Sequence, residues 1–272
     1  MPSNDPLDRA AELIAGADAL LVCAGAGMGV DSGLPDFRGN EGFWRAYPPY
    51  ARLGLSFAAL ADPQHFAEDP ELAWGFYGHR LQLYRETEPH DGFDMLRQWG
   101  TRKPLAVLTS NVDGQFAKAG FPLVTEVHGS IHHLQCVKPC EPDIWPVDDL
   151  QVSIDEDMRA RVPLPECRHC GALARPNILM FGDFDWISHR SDLQLRELTE
   201  WRRAHPRPVV LELGAGTAVP TVRRYAELAS AANGALIRIN PRDPEIRHDR
   251  GISLPYGALE TLTALHARLG IQ

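Results

Sequence analysis

The run Ala19–Cys23 is apolar at every position and passes, through Ala24 alone, into Gly25-Ala26-Gly27-Met28-Gly29. So short a stretch cannot make a buried helix, and its lack of polar alternation fits a strand covered on both faces. Strands of that kind belong to parallel sheets packed between helices. Similar runs recur at Leu105–Thr109, Val124–Val127, Ile178–Phe181, Val209–Leu213 and Ala235–Ile239. Helical patterns lie at Asp5–Gly16, Asp192–His205, Thr221–Asn233 and Tyr256–Leu269.

This alternation predicts an α/β fold, a doubly wound Rossmann-like parallel sheet with helices on both faces. Two segments interrupt it. Phe43–Pro89 is rich in aromatics and helix formers, and Ile131–Arg175 holds four of the five cysteines and many prolines. Both read as insertions forming a smaller helical and cysteine-rich lobe. The expected division is 1–42, 90–130 and 176–272 for the main domain, with 43–89 and 131–175 for the small lobe. A chain of 272 residues with 44% apolar content is ample for both.

No run approaches the roughly 18 apolar residues of a membrane-spanning helix. The opening MPSNDPLDRA has neither a basic nor an apolar leader region, so a cytoplasmic protein is expected. A net charge of -9 provides no electrostatic footprint for a phosphate backbone, and nucleic acid is not expected as a partner.

Glycines after a strand let the backbone approach a pyrophosphate closely, and they equally close ligand-free strand–helix turns. Ser32-Gly33-Leu34-Pro35-Asp36-Phe37-Arg38-Gly39 follows, placing an acid, an aromatic and an arginine in one short loop. Dinucleotide dehydrogenases want an acidic residue about 20 residues beyond the glycines. Phe43-Trp44-Arg45-Ala46-Tyr47 stands there instead.

In open α/β sheets ligands sit beyond the carboxyl ends of the strands. Ser110, Asn111 and Asp113 follow one strand and His128 another. The residues alone leave two roles open for Asn111 and Asp113, ligand contact or capping of the next helix. An imidazole with an ordinary pKa of about 6.5 suits proton abstraction near neutral pH. Cys136 and Cys140, then Cys167 and Cys170, form two close pairs 26 residues apart. This spacing fits a closed structural zinc site with no open position for catalysis, two disulfides or free thiols being the alternatives. Cys23, inside an apolar run, reads as a packing thiol.

Taken together these motifs resemble the sirtuin (Sir2-like) family. GAGMGVDSGLPDFRG from Gly25 to Gly39 is similar to the family's GAGxSxxSGIPDFRG, with Gly29 in place of serine. Ser110-Asn111-Val112-Asp113-Gly114 resembles QNIDG with Ser110 for glutamine, and Glu126-Val127-His128-Gly129 matches the segment carrying the family's general base. Arg175–Asp183 resembles RPxVVxFGE with Asp183 for glutamate. Gly214-Ala215-Gly216-Thr217 stands at the GTSL-like turn without its usual hydroxyls, and Asn240 at the IN motif. The motifs keep family order from about Leu13 to Asn240.

The resemblance implies NAD as cosubstrate, one structural zinc, and an acyl-lysine protein or peptide as partner. It implies cofactor contacts from Gly25, Ala26, Gly27, Asp36, Phe37, Arg38, Ser110, Asn111, Asp113, Gly214, Gly216 and Asn240. His128 would be the base, Asn111 and Asp113 would surround nicotinamide, and the edge at Phe181 and Gly182 would pair with substrate. Tyr77 and Arg80, three apart on one helix face, match a Y-x-x-R pair carried by sirtuins that remove succinyl or malonyl groups. Mono-ADP-ribosyl transfer, NAD hydrolysis and a non-catalytic NAD or ADP-ribose sensor are the alternative readings, raised by the altered positions Gly29, Ser110, Ala215 and Gly216.

Overall fold

The computed structural model describes residues 5–35, 43–44, 47–52, 54–231, 234–246, 248 and 250–271. The expected contacts Asp36, Phe37 and Arg38 lie outside these residues.

Among the described residues, two sheets organise the chain. The larger is parallel and six-stranded, built from β1 (Leu20–Ala24), β2 (Leu105–Thr109), β3 (Val124–Glu126), β7 (Val209–Leu213), β8 (Ala235–Ile239) and β9 (Gly251–Leu254), in the order β3-β2-β1-β7-β8-β9. The smaller is antiparallel, with β4 (Gly129–Cys136) between β5 (Trp145–Pro146) and β6 (Ala174–Ile178).

Six longer helices are α1 (Pro6–Ala15), α2 (Pro70–Glu86), α3 (Asp91–Arg102), α4 (His189–Ala204), α5 (Thr221–Ala231) and α6 (Ala258–Leu269). Leu20, Val22 and Ala24 of β1 join Ile14, Leu96, Trp99, Leu262 and Leu265 in one core. The intervening Leu21 and Cys23 face Leu198, Val222 and Ala226 in another. Successive residues of one strand therefore enter opposite cores, which is why the run is apolar throughout. Each buried Leu or Val of the strand contributes roughly 1.5–3 kcal/mol by leaving water.

Asp5 caps α1 by accepting from Leu7 N at 3.0 Å, and the helix stops at Gly16. α2 buries residues on every side, including Trp74, Phe76, Tyr77, Arg80 and Tyr84, and therefore lies inside the second lobe's aromatic core. That core also holds Ile131, Leu134 and Trp145 from the small sheet.

Several elements differ from expectation, among them α4, which starts at His189, three residues before its pattern. The strand expected at Ile178–Phe181 is Ala174–Ile178, and it pairs antiparallel with β4 instead of joining the parallel sheet. Its letters Arg175-Pro176-Asn177 disguise it, because both polar side chains are buried and paired: Arg175 makes a two-pronged ion pair with Asp183 at 2.7 and 2.8 Å, and Asn177 bonds Gln135 at 2.8 Å. Strand β9 was unforeseen, being a four-residue edge strand with only two buried side chains. The last helix starts at Ala258, two residues later than its pattern suggests, because Gly257 is extended at its N-cap.

Candidate active site

The chain leaves β1 toward β2 and β3 on one side and later builds β7, β8 and β9 on the other, so β1 and β7 flank the point where strand order reverses. A crevice beyond the carboxyl ends of the strands is expected at that point. A cavity of about 830 Å³ occupies it.

Its floor is two interlocked turns. Gly25 N donates to Leu213 O at 2.9 Å and Gly27 N to Gly214 O at 3.1 Å. A Cβ on Gly25 would lie 2.7 Å from the Cα of Ala215, and one on Gly214, whose φ is +58°, would lie 2.4 Å from the Cα of Gly27. Gly25, Ala26 and Gly216 line the cavity, whereas Gly27 and Gly214 are not among its lining residues and serve the contact between turns. The departure at Gly29 has a local counterpart, because Leu34 Cδ1 comes within 3.1 Å of where a side chain would begin.

The next wall comes from the end of β2. Thr109 Oγ1 donates to Ala24 O at 2.9 Å and accepts from Asn111 N at 3.0 Å, and Asn111 Nδ2 donates to Gly25 O at 3.1 Å. Asn111 is thereby tied across to β1 while facing the cavity with Ser110 and Asp113. Asp113 accepts from Gln115 N at 2.9 Å. Burial pushes its carboxyl up to about 6, with Glu126 adding to the rise and the Gln115 N–H and Arg80 opposing it.

His128 stands where the chain leaves β3 for β4, at the junction of the two sheets. Its carbonyl accepts from Leu179 N at 2.9 Å, and its Nε2 lies 3.4 Å from Thr221 Oγ1 at the start of α5. Burial lowers its pKa below the ordinary imidazole value, against a backbone hydrogen bond with Ser110 that raises it. The ring is therefore kept neutral and able to accept a proton.

The facing wall belongs to the second lobe. Tyr77, Arg80 and Tyr84 line the cavity from α2. Arg80 is 4% exposed and its guanidinium lies 5.0 to 5.7 Å from the rings of Phe76, Tyr84, Tyr77 and Phe57. The Tyr77 hydroxyl is buried without a hydrogen-bond partner among the described residues, and burial pushes its pKa up to about 12. Phe181 lines the mouth, while Gly182 is outside the lining. Asn240 is also outside it. That residue is completely buried, donates to Ala215 O at 2.9 Å, and accepts from Arg242 N at 3.0 Å and Asp243 N at 3.1 Å. Tyr84, Thr221, Arg242 and Asp243 were missed by sequence reasoning. Of these, only Tyr84 carried a signal, lying four residues after Arg80 on the same helix face.

Away from the cavity, the four thiols at 136, 140, 167 and 170 converge so that all Sγ atoms lie within 4.8 Å of one another. Cys136 and Cys170 are 3.8 Å apart, and Cys140 and Cys167 3.6 Å. A tetrahedron with Zn–S bonds of about 2.3 Å has edges of about 3.8 Å. The donor set therefore fits one zinc with no position left for substrate. Cys23 is fully buried and its thiol is pushed far up by burial, consistent with packing.

The Sir2 family model matches residues 25–197. The chain is 30% identical over 262 residues to NAD-dependent protein deacylase 1 of Archaeoglobus fulgidus, covering 95% of this chain and 96% of that one. It is 31% identical over 259 residues to NAD-dependent protein deacylase 1 of Pseudomonas aeruginosa, covering 94% and 96%. Among solved structures, the crystal structure of a Sir2 homolog–NAD complex superposes with a TM-score of 0.77 at 26% identity, covering 98% of this chain and 94% of that one. The chain belongs to the Sir2 family. No helix among the described residues is long and apolar enough to cross a membrane.

Proposed function

We propose that this protein removes acyl groups from lysine side chains of proteins, consuming NAD and releasing nicotinamide and O-acyl-ADP-ribose. The observation that carries the reading is the convergence of the glycine turn, Asn111, Asp113 and His128, from the ends of three adjacent strands, on one cavity closed by Tyr77 and Arg80. The two deacylase names of its relatives support it.

NAD supplies a ribose carbon made electrophilic by the departure of nicotinamide. The chain's own residues then divide the work. Backbone groups of Gly25, Ala26, Ala215 and Gly216, all on the cavity wall, cradle the pyrophosphate, and Asn111 and Asp113 hold the carboxamide of nicotinamide. His128, neutral for the physical reason given above, accepts a ribose hydroxyl proton as the acyl group transfers. Phe37 is assigned to shield the reacting centre from water. The same reading makes 43–89 and 131–175 the small lobe, 1–42, 90–130 and 176–272 the NAD lobe, and the setting cytoplasmic, where thiols stay reduced for zinc.

The finer reading is a preference for acidic acyl groups. A buried guanidinium and a phenol hydroxyl whose hydrogen bond is unmade, both on the cavity wall, suit a carboxylate. Mass spectrometry of products from NAD and a panel of acetyl-, succinyl- and malonyl-lysine peptides tests both statements. Loss of the acyl mass with appearance of O-acyl-ADP-ribose is expected. A gain of ADP-ribose mass on the acceptor, or ADP-ribose with intact acyl-lysine, would overturn the reading in favour of transferase or hydrolase chemistry.

A further inference from the structure

Glu212 and Arg238 form an ion pair in the interior of the parallel sheet, between Cys23 of β1 and Ser253 of the edge strand β9. They are register partners on β7 and β8, and each is 0% exposed. Arg238 donates through Nε and Nη2 to the two carboxylate oxygens of Glu212, both at 2.7 Å, and through Nη2 to Glu227 of α5 at 3.0 Å. Replacing such a pair by well-packed apolar side chains is often neutral or stabilising, because desolvation offsets the attraction. The pair is therefore weak evidence of a purely stabilising role.

What the pair holds is backbone. Arg238 Nη1 donates to Glu245 O. Arg223, on the first turn of α5 and 4.0 Å from Glu212, donates to Asp243 O at 3.0 Å and Glu245 O at 3.2 Å. The segment 240–245 is thus gripped from behind by two guanidinium groups anchored on one buried carboxylate. On its other side, Arg242 and Asp243 line the cavity.

Asn111 and Asp113 stand at the end of β2, and segment 240–245 follows β8. With the order β2-β1-β7-β8, these lie three strand spacings apart, about 14 Å. A dinucleotide with its nicotinamide at β2 and its pyrophosphate on the turns after β1 and β7 must bring its far end to β8.

We propose that Arg238 and Arg223 are positioning residues for the cosubstrate, and that the clamp they form on Glu212 fixes segment 240–245 where the end of NAD remote from nicotinamide is bound. The proposal rests on the NAD reading above and adds a specific affinity determinant to it. It separates ground-state binding of NAD from the chemistry: the clamp acts on one end of the ligand and leaves the acyl-lysine side of the cavity untouched.

The test uses the purified, zinc-loaded full chain and two variants, Arg223→Met and the double variant Glu212→Leu/Arg238→Met. Calorimetry measures the Kd for NAD and for ADP-ribose, and steady-state kinetics measure KM and kcat for NAD and for an acyl-lysine peptide. Both variants are expected to weaken NAD and ADP-ribose tenfold or more, with kcat at saturating NAD within about threefold and the peptide KM within about twofold. The double variant is expected to melt no lower than the parent, and Arg223→Lys to recover part of the lost affinity. Unchanged NAD affinity in folded Arg223→Met protein would overturn the proposal, as would an equal rise in both KM values. Should the double variant fail to fold, Arg223→Met decides alone, since its side chain lies on a helix outside the sheet. A parent protein that binds no NAD would instead defeat the reading of the cavity itself.

Discussion

The Tyr84 hydroxyl receives two hydrogen bonds from Arg80, from Nε at 3.0 Å and from Nη2 at 2.8 Å. The acceptor on this edge of the guanidinium is a neutral phenol, held neutral by burial that raises its pKa. Tyr84 thus orients the arginine without neutralising its charge, and an anionic acyl group can still gain from that charge.

If Arg80 reads an acyl carboxylate, succinyl- or malonyl-lysine is processed with a higher kcat/KM than acetyl-lysine. A charge-assisted hydrogen bond is worth about 1.5–3 kcal/mol, roughly 10–150-fold. Arg80→Met is expected to erase most of that advantage while acetyl-lysine turnover changes little. Tyr84→Phe, which leaves the charge but frees its orientation, is expected to cost the acidic substrates about tenfold. Equal losses on both substrate classes would show that the two residues serve packing only.

Removing the His128 imidazole by Ala substitution is expected to lower acyl transfer by about 10²–10⁴-fold, the usual worth of a positioned base. NAD binding, measured by calorimetry, survives. Because burial depresses the folded pKa, the imidazole loses its proton at lower pH than a free one. The acidic limb of kcat/KM is therefore expected below about pH 6.5. A limb well above that value would contradict the assignment.

Asp113 carries the opposite sign. Its folded pKa, near 6, exceeds the ordinary 3.8, so the folded state holds the proton more tightly. Stability from this group is complete below pH 3.8, falls as pH rises toward 6, and is gone above it. About two pKa units correspond to roughly 2–3 kcal/mol. Asp113→Asn, which can keep the bond from Gln115 N, is expected to raise the melting temperature at pH 8 and to lose that benefit near pH 4. Deacylation falls in parallel. A variant less stable than the parent at pH 8 would show that the carboxylate is not strained there.

Elemental analysis is expected to find one zinc per chain. Stripping it with a chelator unfolds the segment around residues 136–170, because a structural site contributes its binding energy to folding. Limited proteolysis should then cut there first. Folded, active protein with far less than one equivalent would remove the metal from the account.

How far the fold could be read from the letters depended on where each side chain found its partner. Strand β1 and its turn were legible because apolarity and glycines lie in one contiguous stretch. The cysteine tetrad was legible through its paired spacing, and the gathering of Asn111, Asp113 and His128 at one cavity because strand ends are marked by a change from apolar to polar. Strand β6 was displaced in the reading because Arg175 meets Asp183 and Asn177 meets Gln135, contacts that make polar letters as buried as leucine. The clamp on segment 240–245 was invisible for the same reason: Glu212 interrupts an apolar strand, and only the register with Arg238 explains it. Asn240, expected among the cofactor contacts, lies outside the cavity lining, and its amide bonds the backbone of Ala215, Arg242 and Asp243.

The interlock of Gly25 with Leu213 and of Gly27 with Gly214 also orders events in time. The two turns are far apart in the sequence, and each supplies backbone partners to the other. A nascent chain that has displayed β1, β2 and β3 to solvent has Asn111, Asp113 and His128 in hand but lacks the second turn of the cavity floor. The cavity therefore cannot form before β7 has emerged and docked, and a truncation that ends ahead of Leu213 is expected to abolish NAD binding even where Asn111, Asp113 and His128 survive.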